Sequence, residues 1–325
     1  MRAVLFEQPG APDVLTIGDA DTPVAGADEL LIRVHATAIN RADLLQRRGA
    51  YPPPAGASPI LGLEVAGEVV TPARDWRIGD RVMAVVTGGG YAERALVPAS
   101  TALRIPDNLS YEQAAALPEA FMTAFLNLFT MGHFVNGERV LIHAAGSGVG
   151  TAAIQLAKVA GAAQIFVTAG SDDKLSRCST LGADILINYK TASFRQRVAD
   201  ETQGAGVDVI LDFIGAPYWN DNLGSLAQKG RLLLIGSLGG VVGDLNIAAI
   251  MGKRLTITGT TLRRTALSEK VALVRAMIDF GFLTALEQGM IRPIIDRVYN
   301  LHEVVLAHHH MESNSNFGKI VLKLI

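Results

Sequence analysis

The sequence predicts an α/β protein in which a doubly wound parallel-sheet domain is inserted into a mostly β domain. Three observations carry that reading. A chain of 325 residues exceeds the size at which a single core usually keeps growing. Short β-rich runs punctuated by Gly, Pro and Asp fill the first part, and after Pro118 compact apolar strands alternate with helix-period stretches. From about Pro293 short β patterns return and end in K-I-V-L-K-L-I, so the tail is expected to rejoin the first domain. The expected domains are therefore 1–118 plus 290–325, and 119–289.

In the first domain the candidate strands are E-L-L-I-R-V-H-A from Glu29, E-V-A-G-E-V-V from Glu64, D-R-V-M-A-V-V from Asp80 and Y-A-E-R-A-L-V from Tyr91. Their spacing suggests an antiparallel barrel or sandwich. In the second, strands are expected at 140–144, 165–168, 185–187, 207–212, 231–236 and 255–259. Between the first two, 151–160 has a helical period: Ala152, Ala153, Leu156 and Ala160 share a face, and Gly161 ends the helix.

Composition narrows the class. A hydrophobic fraction of 49% with 18% charged residues describes a globular chain with a large core. Lys plus Arg number 29 against 31 for Asp plus Glu, with an isoelectric point near 6.4, so no basic field marks a nucleic-acid partner. No apolar run reaches bilayer length without Gly or charge, and the start, M-R-A-V-L-F-E, is too short for a secretory leader; no membrane partner and a cytoplasmic location are expected. The single cysteine, Cys178, fits a reducing compartment and reads as an apolar filler on the helix after Lys174.

Residues 140–161 read V-L-I-H-A-A-G-S-G-V-G-T-A-A-I-Q-L-A-K-V-A-G: strand, tight small-residue turn, helix. Such a turn lets backbone approach a pyrophosphate, and the helix N-terminus supplies donors. Strict G-x-G-x-x-G spacing fails, since ending at Gly150 it would need glycines where Ala145 and Ser147 stand, and taken alone the segment also reads as a plain βα turn. The surrounding strand and helix pattern favours a dinucleotide. At the tip of the next strand, where an acid would bind a ribose 2′-hydroxyl, the sequence is V-T-A-G-S-D-D-K. Gly170 and Ser171 leave room for a 2′-phosphate, Lys174 is its candidate counterion and Tyr189 a candidate wall, so NADPH is expected over NADH. Lys174 also reads as a solvated helix residue beside Asp172 and Asp173.

Residues 59–67, P-I-L-G-L-E-V-A-G, set Glu64 in an apolar run. Metal ligand, catalytic base and buried structural anion are all open readings of that carboxylate. Three adjacent histidines, His308–His310, point about 100° apart on a helix and cannot converge on one ion; they are expected on its surface.

The order of β domain then nucleotide domain, with N-R-A-D-L-L-Q-R-R-G-A-Y-P-P-P from Asn40, P-I-L-G-L-E-V-A-G from Pro59 and A-A-G-S-G-V-G-T-A-A-I-Q-L-A from Ala144, resembles the medium-chain dehydrogenase/reductase superfamily. Within it the chain resembles the zinc-free quinone oxidoreductases of the p53-inducible type, from end to end, through L-P-E-A-F-M-T-A-F at 117–125 and N-F-G-K-I-V-L at 316–322. The resemblance implies a Rossmann domain inserted in a GroES-like catalytic domain. It also implies that zinc-holding members carry Cys where Asn40 stands and His where Leu63 stands, so no metal site is expected. Glu64 then reads as a carboxylate held by backbone N–H groups or by Arg41 or Arg47, with a catalytic base as the minority view.

Without a Lewis acid, oxidation of a plain alcohol is hard, whereas a quinone or other conjugated carbonyl spreads incoming charge by itself. The resemblance moves Tyr51, stiffened by Pro52-Pro53-Pro54, and Asn40 toward catalytic roles; unaided, Tyr51 reads equally as a loop anchor and Asn40 as a strand-end cap. Position by position it further implies cofactor contacts at Tyr51, Thr123, Gly146, Ser147, Gly148, Val149, Gly170, Ser171, Lys174, Tyr189, Ile214, Ser237, Leu262 and Asn316. Leu45 departs from bacterial quinone reductases, which have tyrosine there, so substrate preference does not carry over. The expected activity is NADPH-dependent reduction of a small-molecule quinone. An enone or 2-enoyl reductase is the enzymatic alternative, and an NADPH-binding sensor or structural protein the non-enzymatic one. A homodimer is expected through the glycine-rich stretch after Arg231.

Overall fold

The computed structural model describes residues 1–324. The chain packs as two compact units, Met1–Ala120 with Arg263–Ile325, and Phe121–Leu262.

In the first unit β1 (Arg2–Leu5) and β2 (Thr16–Asp19) form an antiparallel pair. A larger sheet follows from β3 (Glu29–Ala38), β4 (Glu64–Thr71), β5 (Arg81–Val85), β6 (Arg94–Pro98) and β7 (Leu103–Arg104). Strand β3 shows why: Leu30, Ile32, Val34 and Ala36 are buried while Arg33 is exposed, the period of two that places alternate side chains on one face.

The second unit holds β8 (Arg139–Ile142), β9 (Gln164–Ala169), β10 (Ile185–Asn188), β11 (Val207–Asp212), β12 (Leu226–Leu234) and β13 (Thr256–Gly259). They form one six-stranded sheet in the order β10-β9-β8-β11-β12-β13, every pair parallel. Leu141, Phe166, Ile210 and Leu232 are fully buried, as befits strands covered on both faces. Chain order reverses between β8 and β11, the topological switch point where a doubly wound sheet opens a crevice at its carboxyl ends.

The tail returns to the first unit as β14 (Ile295–Asn300) and β15 (Lys319–Lys323), which extend the larger sheet in the order β14-β15-β3-β4-β5-β7, with β6 also on β3. Val321 lies opposite Ala38 and Leu322 opposite Thr37.

Two expectations need correction. Residues 263–289, assigned from sequence to the nucleotide domain, pack with the first unit. Their helices, Leu267–Asp279 and Phe282–Glu287, have the same period as those between parallel strands. The contacts decide: Arg263 Nε donates to Thr87 O at 2.9 Å, and Asn108 Nδ2 reaches Leu286 O at 3.4 Å. The second correction concerns the histidines. On the helix Val304–Glu312, His308 is fully buried with Val304, Ala307 and Met311, because i, i+3, i+4 and i+7 share the inner face. Its Nδ1 lies 3.0 Å from Arg47 Nη1 and its Nε2 3.3 Å from Tyr91 Oη. Only His309 is exposed; His310 is half-buried against Tyr299 and Asp296. The apolar helical stretch Tyr111–Met131, long enough to cross a bilayer by length and hydropathy alone, is a core helix with 72% of its most apolar window buried.

Candidate functional site

In the second unit the carboxyl ends of the parallel strands gather the residues singled out from sequence. Ser147 follows β8, Gly170 and Ser171 follow β9, Tyr189 follows β10, Ile214 follows β11, Ser237 follows β12 and Leu262 follows β13. After β8, Ser147 caps the helix Gly148–Val159, its Oγ accepting from Gly150 N at 3.0 Å. A Cβ on Gly150 would come within 2.6 Å of Ala145 O, so only glycine lets the helix start this close to the strand. Ala144 takes a left-handed conformation, φ 46°, where the fingerprint would place a glycine nearby. Beneath these ends Asp212 accepts from Ile214 N at 2.7 Å and from Asn222 Nδ2 at 3.0 Å, while His143 joins Asn222 to Thr168. Burial pushes the His143 imidazole down to about 4, so it is neutral and structural.

The slot over Gly170 is specific. A Cβ there would meet Tyr189 Oη at 2.6 Å and Lys190 Cε at 3.4 Å. Ser171 caps the following helix, accepting from Lys174 N at 3.4 Å. Glycine at this position therefore keeps open a small space bordered by a phenol and a lysine stem. Sequence reasoning named Tyr189 and Lys174 but missed Lys190; the signal was a second base directly after Tyr189 at a strand tip. Thr123 is buried, its carbonyl accepting from Asn127 Nδ2 at 2.8 Å. Gly146 is buried, Gly148 and Val149 half-buried in the same turn. Burial pushes the Cys178 thiol up to about 12, so it stays an inert filler.

In the first unit Glu64 is fully buried and completely engaged. Its Oε1 accepts from Asn40 Nδ2 at 2.8 Å and pairs with Lys319 Nζ at 2.8 Å, and its Oε2 accepts from Glu119 N at 2.8 Å. Lys319 also donates to Asn40 Oδ1 at 2.6 Å and Ile39 O at 3.0 Å. The backbone N–H agrees with the sequence reading, but the cation is Lys319, not Arg41 or Arg47. Arg41 reaches Asn314, and Arg47 is occupied by Glu312, His308 and Gly10 O. Asn40 spends both amide protons inside the fold, on Glu64 and on Ala38 O at 3.3 Å. Asp43, beside this cluster, accepts from Asn40 N and Gly62 N, and burial pushes its carboxyl up to about 6.

Glu119 sits next in the cluster, and burial followed by the neighbouring Glu64 carboxylate pushes it up to about 8. Its Oε2 is enclosed with no hydrogen-bond partner among the described residues. Tyr51 is half-buried, with the guanidinium carbons of Arg263 and Arg264 at 5.5 and 5.8 Å from its ring centre. Burial raises the phenol above its ordinary value, so it stays a donor at neutral pH. Asn316 is buried, its Nδ2 bonded to Gly318 O at 2.9 Å. Among the described residues no group of three or more His, Cys, Asp or Glu is placed to hold a metal ion.

Known proteins are similar to this chain over its whole length. Residues 26–107 match the alcohol dehydrogenase GroES-like domain family and residues 148–278 the zinc-binding dehydrogenase family. The quinone oxidoreductase of Sus scrofa is 31% identical over 100% of this chain and 98% of its own. The chain belongs to the medium-chain dehydrogenase/reductase superfamily. Among solved members of that superfamily, an NAD-dependent alcohol dehydrogenase superposes with a TM-score of 0.89 at 32% identity over 100% of both chains. Escherichia coli quinone oxidoreductase, solved with NADPH, gives 0.88 at 27% identity, again over 100% of both. In medium-chain dehydrogenase/reductase terms, the first unit is the GroES-like domain and the second the Rossmann domain. Lys319 opens the tail strand β15, and its partnership with Glu64 was not legible in the sequence.

Proposed function

We propose that this chain is an NADPH-dependent quinone reductase that works without a metal ion. The observation carrying the metal-free part is the Asn40–Lys319–Glu64 assembly: the ammonium of Lys319, buried between an amide and a carboxylate, supplies the positive charge there. An amide at position 40 and an apolar side chain at position 63 offer zinc nothing to bind. The slot over Gly170 supports the dinucleotide, with Ser171, Lys174, Tyr189 and Lys190 receiving a 2′-phosphate and the turn 146–149 the pyrophosphate. Thr123, Ile214, Ser237, Leu262 and Asn316 complete the proposed cofactor contacts.

Bound NADPH supplies the hydride. Tyr51 donates its phenolic proton as a hydrogen bond to the acceptor oxygen as charge gathers there, which lowers the barrier without a Lewis acid. Glu119, protonated at neutral pH, holds a proton on its carboxyl close to that loop. Asn40, whose amide protons are committed, acts as a positioning residue for the Glu64 cluster. Full-length similarity to quinone oxidoreductases supports the acceptor class. The reading includes a cytoplasmic homodimer, supported by a lone buried cysteine and by the exposed apolar run at Val241, Val242 and Met251.

The test is a screen of acceptors on metal-stripped enzyme. NADPH with 1,2-naphthoquinone is expected to turn over fastest, ahead of NADH and ahead of an enone or enoyl thioester. Stoichiometric zinc whose removal abolishes activity, or preference for aliphatic alcohols, would refute the reading. Tight NADPH binding with negligible turnover of every acceptor would leave a sensor instead.

A further inference from the structure

Within the first unit a cavity of about 690 Å³ is lined by Pro53, Pro54, Val85, Thr87, Arg263, Arg264 and Lys270, among others. Three of its lining side chains are cationic, and none of the described ones is acidic. Arg263 is the unusual one, only 5% exposed. Its Nε donates to Thr87 O at 2.9 Å and its guanidinium lies over the Tyr51 ring, yet neither Nη1 nor Nη2 has a hydrogen-bond partner among the described residues. A guanidinium so buried is costly unless an anion compensates it. The carboxyl groups that act on it, Asp43 and Glu119, do so only through space, and neither bonds it. Lys270, half-buried and donating to Arg263 O at 3.2 Å, adds to the positive field, and the proline and valine walls keep that field from being screened.

We propose that this cavity binds the acceptor through a carboxylate or similar planar anion on it, with Arg263 as the specificity-determining residue and its two free Nη groups gripping the anion side-on. The inference rests on the reductase reading above and names its substrate class: conjugated carbonyl compounds that carry an acidic group beside the reducible ring. Two parallel N–H···O bonds suit a carboxylate in a way one lysine would not. Tyr51, under the same guanidinium, would then meet the carbonyl end of the molecule the anion has anchored.

The experiment uses two isosteres that differ in charge, benzoate and benzamide, as inhibitors of 1,2-naphthoquinone reduction by the full chain with NADPH. Benzoate is expected to compete with the quinone about tenfold more tightly than benzamide. In Arg263→Gln that ratio is expected to fall to near one, and in Arg263→Lys to an intermediate value. Equal inhibition by the two isosteres in the natural protein, or an unchanged ratio in Arg263→Gln, would overturn the proposal. Should Arg263→Gln not fold, calorimetric binding of benzoate and benzamide to the natural protein decides between the same two outcomes. Calorimetry also separates the two readings: if no quinone is reduced, the reductase reading falls, and selective benzoate binding still upholds the anion site while its absence removes that too.

Discussion

Lys319 and Glu64 form a buried ion pair in the first unit, with 4% and 0% of their surfaces exposed. Removing one partner leaves the other charge buried alone, which costs ~3–5 kcal/mol. Lys319→Met is therefore expected to lower unfolding free energy by about that amount in urea titrations, while an exposed lysine such as Lys229 replaced by Met changes it little. Glu119 makes a second prediction, about pH. Its carboxyl, pushed up to about 8, favours the neutral form, so its contribution to stability is complete below the ordinary carboxylate value and is lost as pH rises through 8. Asp43, pushed up to about 6, loses its contribution in the lower part of the same window. Glu119→Gln is expected to flatten the decline between pH 5 and 9 and to raise the melting temperature at the alkaline end. A slope unchanged by the substitution would show that Glu119 is ionised throughout. At this scale the sequence flagged Glu64 as out of place. It did not reveal the partner, because Lys319 lies 255 positions on and comes beside Glu64 only through the pairing of β15 with β3.

The proposed cofactor preference rests on strand tips. Gly170 follows β9 and Tyr189–Lys190 follow β10, and the parallel register that sets Asn188 against Ala169 brings them together. Lys174→Ala and Lys190→Ala are each expected to reduce the NADPH-over-NADH ratio of kcat/KM by about tenfold, the size of a lost bond to a charged group. Gly170→Ala would push against the Tyr189 hydroxyl and act in the same direction. The βα turn at Ala144–Gly148, the missing acid after β9 and the basic Lys174 were all readable by pattern, because each is local. Lys190 was missed although it directly follows Tyr189, because the space over Gly170 that it borders is set by the neighbouring strand. The same limit explains His308: a run of three histidines looks polar in sequence, but the helix phase set by Val304, Ala307 and Met311 turns the first of them into the core.

For the whole molecule the exposed apolar residues of 238–251 are the outstanding feature. Val241 and Val242 are 82% and 87% exposed, and Leu245, Ile247 and Met251 lie on the same segment. Such a run is characteristic of a surface covered in an assembly. Val241→Asp with Val242→Asp is expected to convert a dimer to a monomer in sedimentation experiments with the fold retained by circular dichroism; a monomeric natural protein would exclude the assembly.

The alternation of strand and helix and the glycine turn determined the superfamily and the two-domain composition, and the residues at positions 40 and 63 carry the proposed metal-free chemistry, because period, turn conformation and ligand chemistry are written in short stretches. Three things were decided only by the folded chain: the junction at Leu262–Arg263, the lysine that neutralises Glu64, and the cationic cavity around Arg263. Each depends on which distant segments share a core or a sheet edge, and the energy of a buried charge is set by those neighbours and not by the residues beside it in sequence.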